Sequence, residues 1–153
     1  MQDLEIGKFI WAAFASGLLG TLAMTLLMDK ITKSGKANAD MVRAIGSLIT
    51  KSLENSFPIG IILHIVFGVV IAFLYVFMLQ VFNVNTLMAS IGMGFGLGFF
   101  HGVVVSLLLV VTVAEHHPLQ DFQDAGFSVA AAHFAAHIVY GIVVGVVAGA
   151  IMF

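Results

Sequence analysis

From Phe57 to Ala114, and again from Ala125 to Phe153, the chain carries no Asp, Glu, Lys or Arg. About 20 predominantly apolar residues suffice to cross a hydrocarbon core of roughly 30 Å as a helix. Lipid offers no hydrogen-bond partners, so a short chain of this kind satisfies its backbone groups by forming helices. The whole sequence agrees: 61% of it is apolar and 9% charged, where a soluble domain carries roughly a quarter charged residues. The expected class is all-α, a polytopic membrane protein.

Cutting at polar and turn-forming residues gives a single domain of four transmembrane helices, with spans at about 8–28, 57–82, 86–114 and 125–153. The first run is too long for a secretory h-region and starts with Asp3 and Glu5 instead of a basic cluster, so it reads as a retained helix. Its Gly17, Gly20, Thr21 and Met24 share one face and predict a close-packing surface. Trp11 falls near one end, where an interfacial indole is favourable. Asn83, Val84 and Asn85 leave room only for a tight turn, predicting that the second and third spans are antiparallel neighbours. Ser56 and Asp124 are the expected caps of the second and fourth spans.

Between the first two spans lies the one basic segment, with Lys30, Lys33, Lys36, Arg43 and Lys51. Met41, Ile45, Leu48, Ile49 and Leu53 recur there at helical spacing, predicting a short amphipathic interfacial helix over about 38–54, capped by Asn38 or Asp40. Four spans put this loop on the same side as the loop at 115–124. By the positive-inside rule both are cytoplasmic and the termini are outside; the expected membrane is a bacterial or archaeal inner membrane.

Inside the spans histidine is the only side chain that titrates near neutral pH: His64, His101, His133 and His137. Each must face the bundle interior and find a partner, because an unsatisfied polar group in hydrocarbon is costly. Counted from the shared face, His64 and His133 lie at about 10–13 Å depth, and His101 and His137 both at about 20 Å. Two layers are therefore expected, His64 with His133 and His101 with His137. Neighbouring glycines, Gly60 and Gly68, Gly94 and Gly98, and Gly141, Gly145 and Gly149, serve either close helix packing or clearance for a flat macrocycle.

The chain has no cysteine, which removes thiolate metal sites, iron–sulfur clusters and covalently attached haem. Imidazole suits haem b or a transition metal ion, Cu, Fe or Zn, and these four histidines are the candidate ligands. Glu115, His116, His117 and Asp121, in the polar turn above them, form a candidate entrance, with Asp124 beside them. Met24, Met28, Met78, Met88 and Met93 form no repeated motif and read as packing residues.

The stretch Gly17 Leu18 Leu19 Gly20 Thr21 Leu22 Ala23 Met24 Thr25 resembles the opening of small four-helix bacterial membrane proteins of unassigned activity. That resemblance implies a four-helix bundle and nothing about chemistry. The expected function is a histidine-held haem b or metal in a small subunit of a respiratory or oxidising membrane complex. Two alternatives stand beside it: cation or proton transport along the same histidines, and a purely structural assembly subunit. The expected partners are lipid, other membrane subunits or a second copy. Nothing suggests nucleic acid, and the lack of a nucleophile elbow or phosphate-binding loop argues against an autonomous enzyme.

Overall fold

The computed structural model describes residues 2–109, 111 and 114–153, all of them helix, turn or loop, with no strand among the described residues. Four helices are long and apolar enough to cross a membrane. They are α1 (Gln2–Lys33), α3 (Ser56–Val81), α4 (Leu87–Leu108) and α6 (Phe127–Met152). Between them lie α2 (Met41–Thr50), the single turn α5 (Ala114–His116) and a 3-10 turn at Gln120–Phe122. The predicted spans match these helices closely at 56–81 and 127–152, whereas α1 extends beyond 8–28 at both ends. α4 stops at Leu108; of the expected tail to 114, residues 110, 112 and 113 lie outside the described residues.

Local chemistry explains several boundaries. Asp40 caps α2 by accepting from the Arg43 backbone N–H at 3.0 Å, and Thr86 caps α4 by accepting from that of Ala89 at 3.3 Å. Asn83 takes a left-handed conformation, φ 51°, in the α3–α4 turn, a conformation asparagine adopts more readily than most residues. Two expected caps are corrected. Asn55 and Gly126 occupy the N-cap positions of α3 and α6 without a side-chain bond. Ser56 instead turns its hydroxyl back to the Leu53 carbonyl at 2.6 Å.

The helices form an arc in the order α3, α1, α6, α4. The broadest seam joins α4 to α6, followed by α1 with α6, while α3 and α4 touch only slightly. The expectation of packed neighbours is thus corrected: the turn makes α3 and α4 antiparallel, but they are packed on different partners. Residue size decides this. Gly94 and Gly98 on α4 press directly on the backbone of Gly141 and His137 on α6, a contact a side chain would prevent. Ser90 and Ser106 fasten the seam by donating to the carbonyls of Gly145 and Ala130 at 2.8 and 3.0 Å. On α1 the predicted small-residue face is buried: Gly17 meets Ala72 and Val69 of α3, and Gly20 meets the Tyr140 ring of α6.

Two clusters fill the arc. Towards the α3–α4 turn, Ala12, Ala13, Val76, Leu79 and Ala148 form a dry plug. Towards the other end, Met24, Met28, Ala72, Tyr75, Ala136, Tyr140 and Val144 pack together. There α2 leans on the first turns of α3, with Gly46 against Ser56 and Gly60 against Val42. α2 also keeps Leu48 and Ile49 exposed, at 46% and 61%. The two loops expected on one side do meet, through Asn38, whose side-chain amide donates to the Asp121 carbonyl at 2.9 Å.

Candidate functional site

The arc leaves a cavity of about 580 Å³ between α3 and α4, roofed by α2. His64 of α3, His101 of α4, and His137 and Tyr140 of α6 supply its polar groups. Met24, Met41, Ile45, Ile71 and Val105 are among its apolar walls. Rim residues Phe67, Leu108 and Leu48 are 56%, 55% and 46% exposed, so the mouth opens on the apolar flank of the protein.

The local hydrogen bonds dictate what each histidine offers. His137 lies one turn after His133, and its Nδ1–H donates to the His133 carbonyl at 2.7 Å. His133 does the same to Val129 at 2.8 Å. Each bond assigns the proton to Nδ1 and leaves Nε2 with a free lone pair, the arrangement by which second-shell carbonyls orient metal-binding imidazoles. His64 and His133 are 7% and 2% exposed, and the Nε2 of each has no hydrogen-bond partner. An orphaned buried nitrogen is costly unless something else occupies its lone pair or takes its proton.

His101 is engaged differently. Its Nδ1 lies 3.2 Å from the Tyr75 hydroxyl, a bond that bridges α4 to α3 beside the cavity. Its ring stands edge-on to His137, with centroids 4.6 Å apart. Tyr140 is committed too, donating its hydroxyl to the Gly68 carbonyl at 2.6 Å. The expected deeper layer of His101 and His137 is therefore present as a ring contact. As placed, the two rings leave no room for a macrocycle between them. The shallower pair is looser: His64 has His137 and His133 as electrostatic neighbours, but it lines the cavity while His133 opens towards the loop 117–125.

The chain matches no known family model, no curated protein and no solved structure. The site is therefore read from its own geometry.

The proposed entrance separates into unlike parts. Glu115 and His116 are exposed at the α5 turn. His117 is 2% exposed and works as a latch: its Nε2–H donates to the Ala44 carbonyl of α2 at 3.1 Å, while its Nδ1 accepts from the Leu119 backbone N–H at 3.1 Å. Both ring nitrogens of this expected entrance ligand thus have partners within the protein. Asp121 and Asp124 remain beside a small cleft that ends at His133. Among the glycines, Gly94, Gly98, Gly141 and Gly145 meet backbone and serve close packing, whereas Gly68 lines the cavity. Met24 and Met28 are buried in the core, as packing residues should be. Among the described residues, no group of three or more His, Asp or Glu is placed to hold a metal ion. Sequence reasoning missed Tyr75 and gave Tyr140 no role; a phenol inside an apolar helix was the available signal.

Proposed function

We propose that the four apolar helices span a bilayer and that the cavity binds a largely apolar ligand of the haem b type, which His137 and His64 would hold. The observation that carries this reading is a cavity of about 580 Å³ lined by His64 and His137 from two helices, with the Nδ1–H of His137 held by the His133 carbonyl. That volume falls in the range of roughly 300–1,000 Å³ typical of small-molecule pockets. The walls are apolar with a few convergent polar groups, and the mouth opens where lipid would lie. A single metal ion fits less well, because it needs three or more ligands around one point. Bound haem would supply one-electron chemistry. The chain's own part is to position the group with imidazole nitrogens and keep water from it with Met24, Ile71 and Val105. The role that follows is that of a small electron-transfer or accessory subunit with other membrane partners, in a bacterial or archaeal inner membrane with the α2 side cytoplasmic.

The test is an absorption spectrum with elemental analysis of protein purified in mild detergent, repeated after titration with haemin. The expected result is a Soret band reduced at least tenfold in His137→Ala and His64→Ala and retained in His116→Ala. Protein that is colourless, takes up no haemin and is indifferent to both cavity substitutions sinks the proposal.

A further inference from the structure

We propose that Tyr75 makes His101 the hydrogen-bond donor of the cavity, so that the site selects a largely apolar ligand carrying an acceptor oxygen, a carbonyl or carboxyl group, beside α4. The ligand's identity rests on the haem b reading above, whereas the donor role of His101 rests on the protein's own hydrogen bonds. Tyr75 and His101 meet across the gap between α3 and α4, the phenol oxygen 3.2 Å from Nδ1. Either the hydroxyl donates to a bare Nδ1, or an Nδ1–H donates to the hydroxyl oxygen. Tyr75 is 6% exposed and has no other hydrogen-bond partner among the described residues, so Nδ1 is the one acceptor for its proton. An Nδ1–H donor would leave both the phenol proton and the Nε2 lone pair unpaired, whereas a donating phenol leaves only one group open. A neutral imidazole carries a single N–H, so a bare Nδ1 places the proton on Nε2.

The surroundings turn this tautomer into recognition. His101 lines the cavity, and its Nε2, on the side of the ring away from Tyr75, is not sealed in the protein as those of His64 and His133 are. Cavity walls such as Met24, Ile71 and Val105 offer that N–H no oxygen. Tyr75 is itself fixed, its ring edge-on to Tyr140 with centroids 5.6 Å apart, and Tyr140 is tied to the Gly68 carbonyl. His137 has the opposite tautomer, because the His133 carbonyl holds its Nδ1–H and leaves Nε2 with the lone pair. Two imidazoles in edge-on contact therefore differ in what they can do: His137 can hold a metal, while His101, protonated at Nε2, donates to an oxygen. The carboxyl groups of a haem b-type ligand are acceptors of that kind. Within apolar walls the oxygen and the N–H satisfy each other, where either alone would be costly.

NMR of protein with isotopically labelled histidine nitrogens, in mild detergent, reads each tautomer without any ligand, and the signal missing from His101→Leu identifies His101. Its protonated nitrogen should be Nε2, and that of His137 should be Nδ1. Tyr75→Phe, which keeps the ring and its packing, should move His101 to a mixture of both forms. Binding is then measured for two flat iron porphyrins, haemin and iron octaethylporphyrin, the second of which carries no oxygen. The ratio of their affinities should favour haemin at least tenfold more in the wild type than in Tyr75→Phe or His101→Leu. A His101 protonated at Nδ1 overturns the proposal, and so does a ratio that both substitutions leave unchanged. If the wild type binds neither porphyrin, the haem reading fails and the tautomer alone decides: Nε2–H upholds the donor role of His101, and Nδ1–H overturns it.

Discussion

α4 has two sides with opposite fates. One packs on α6 so closely that helix backbones touch at Gly94, Gly98, Gly141 and Gly145. The other turns His101, Val105 and Leu108 towards α3 and meets a cavity. Both sides are apolar and both belong to one helix, so hydrophobicity cannot explain the difference. The difference is steric. In a medium as apolar as the side chains, helices associate through close packing and hydrogen bonds. A glycine and serine stripe permits that packing on α6, while the side bearing His101, Val105 and Leu108 has no such stripe. The seam fixes the shape and the gap carries the site.

Substitutions that enlarge a residue on each side put this contrast at risk. A Cβ on Gly98 falls 2.6 Å from the His137 carbonyl oxygen, so Gly98→Leu should cost about 3 kcal/mol by overpacking and lower the thermal midpoint in detergent. Gly96, whose Cβ position meets nothing within 4 Å, is the outward-facing control. Its change to Leu should stay within about 0.5 kcal/mol. Equal losses from the two would break the comparison.

The latch over the gap comes next. His117→Ala removes two hydrogen bonds of a buried ring and should cost about 2 kcal/mol. The loss should show as faster amide hydrogen exchange confined to α2 and the loop 117–125; uniform acceleration through α4 and α6 would contradict a local latch. Tyr140→Phe removes the hydroxyl that ties α6 to the Gly68 carbonyl. A loss of about 1 kcal/mol is expected, measured by the same melting assay, and an unchanged midpoint would mean the bond contributes nothing net. Val105→Phe, which enlarges a cavity wall, should cost less than about 1 kcal/mol because space is available, yet weaken haemin uptake at least tenfold. Full stability loss with normal uptake would place the ligand elsewhere.

Much of the fold was legible. Charge-free stretches fixed the long helices, Asp40 marked the start of α2, and the small-residue face of α1 was found by periodicity. Helix depth counting also brought His101 beside His137, because a rise per residue is a property of the helix alone. It could not foresee that their rings touch, nor that His117 spends both nitrogens on α2 and Leu119, since those depend on rotamers and on which elements cross. The expected α3–α4 packing failed for a related reason. A tight turn sets direction, but the partner of each helix is chosen by surface shape along its whole length.

What the sequence by itself determined is therefore one-dimensional: which segments are helical, which are apolar enough for a bilayer, how far along its helix each histidine lies and which loops share an end. Only the tertiary structure decided which helix faces meet. It spent the glycines on the α4–α6 seam and left His64, His101 and His137 around an open cavity. It also turned Asp40, Asp121 and Asp124 into the walls of clefts that end on buried imidazoles. The physical reason is that hydropathy and helical period act along the chain, whereas close packing and hydrogen-bond satisfaction are settled between elements far apart in it.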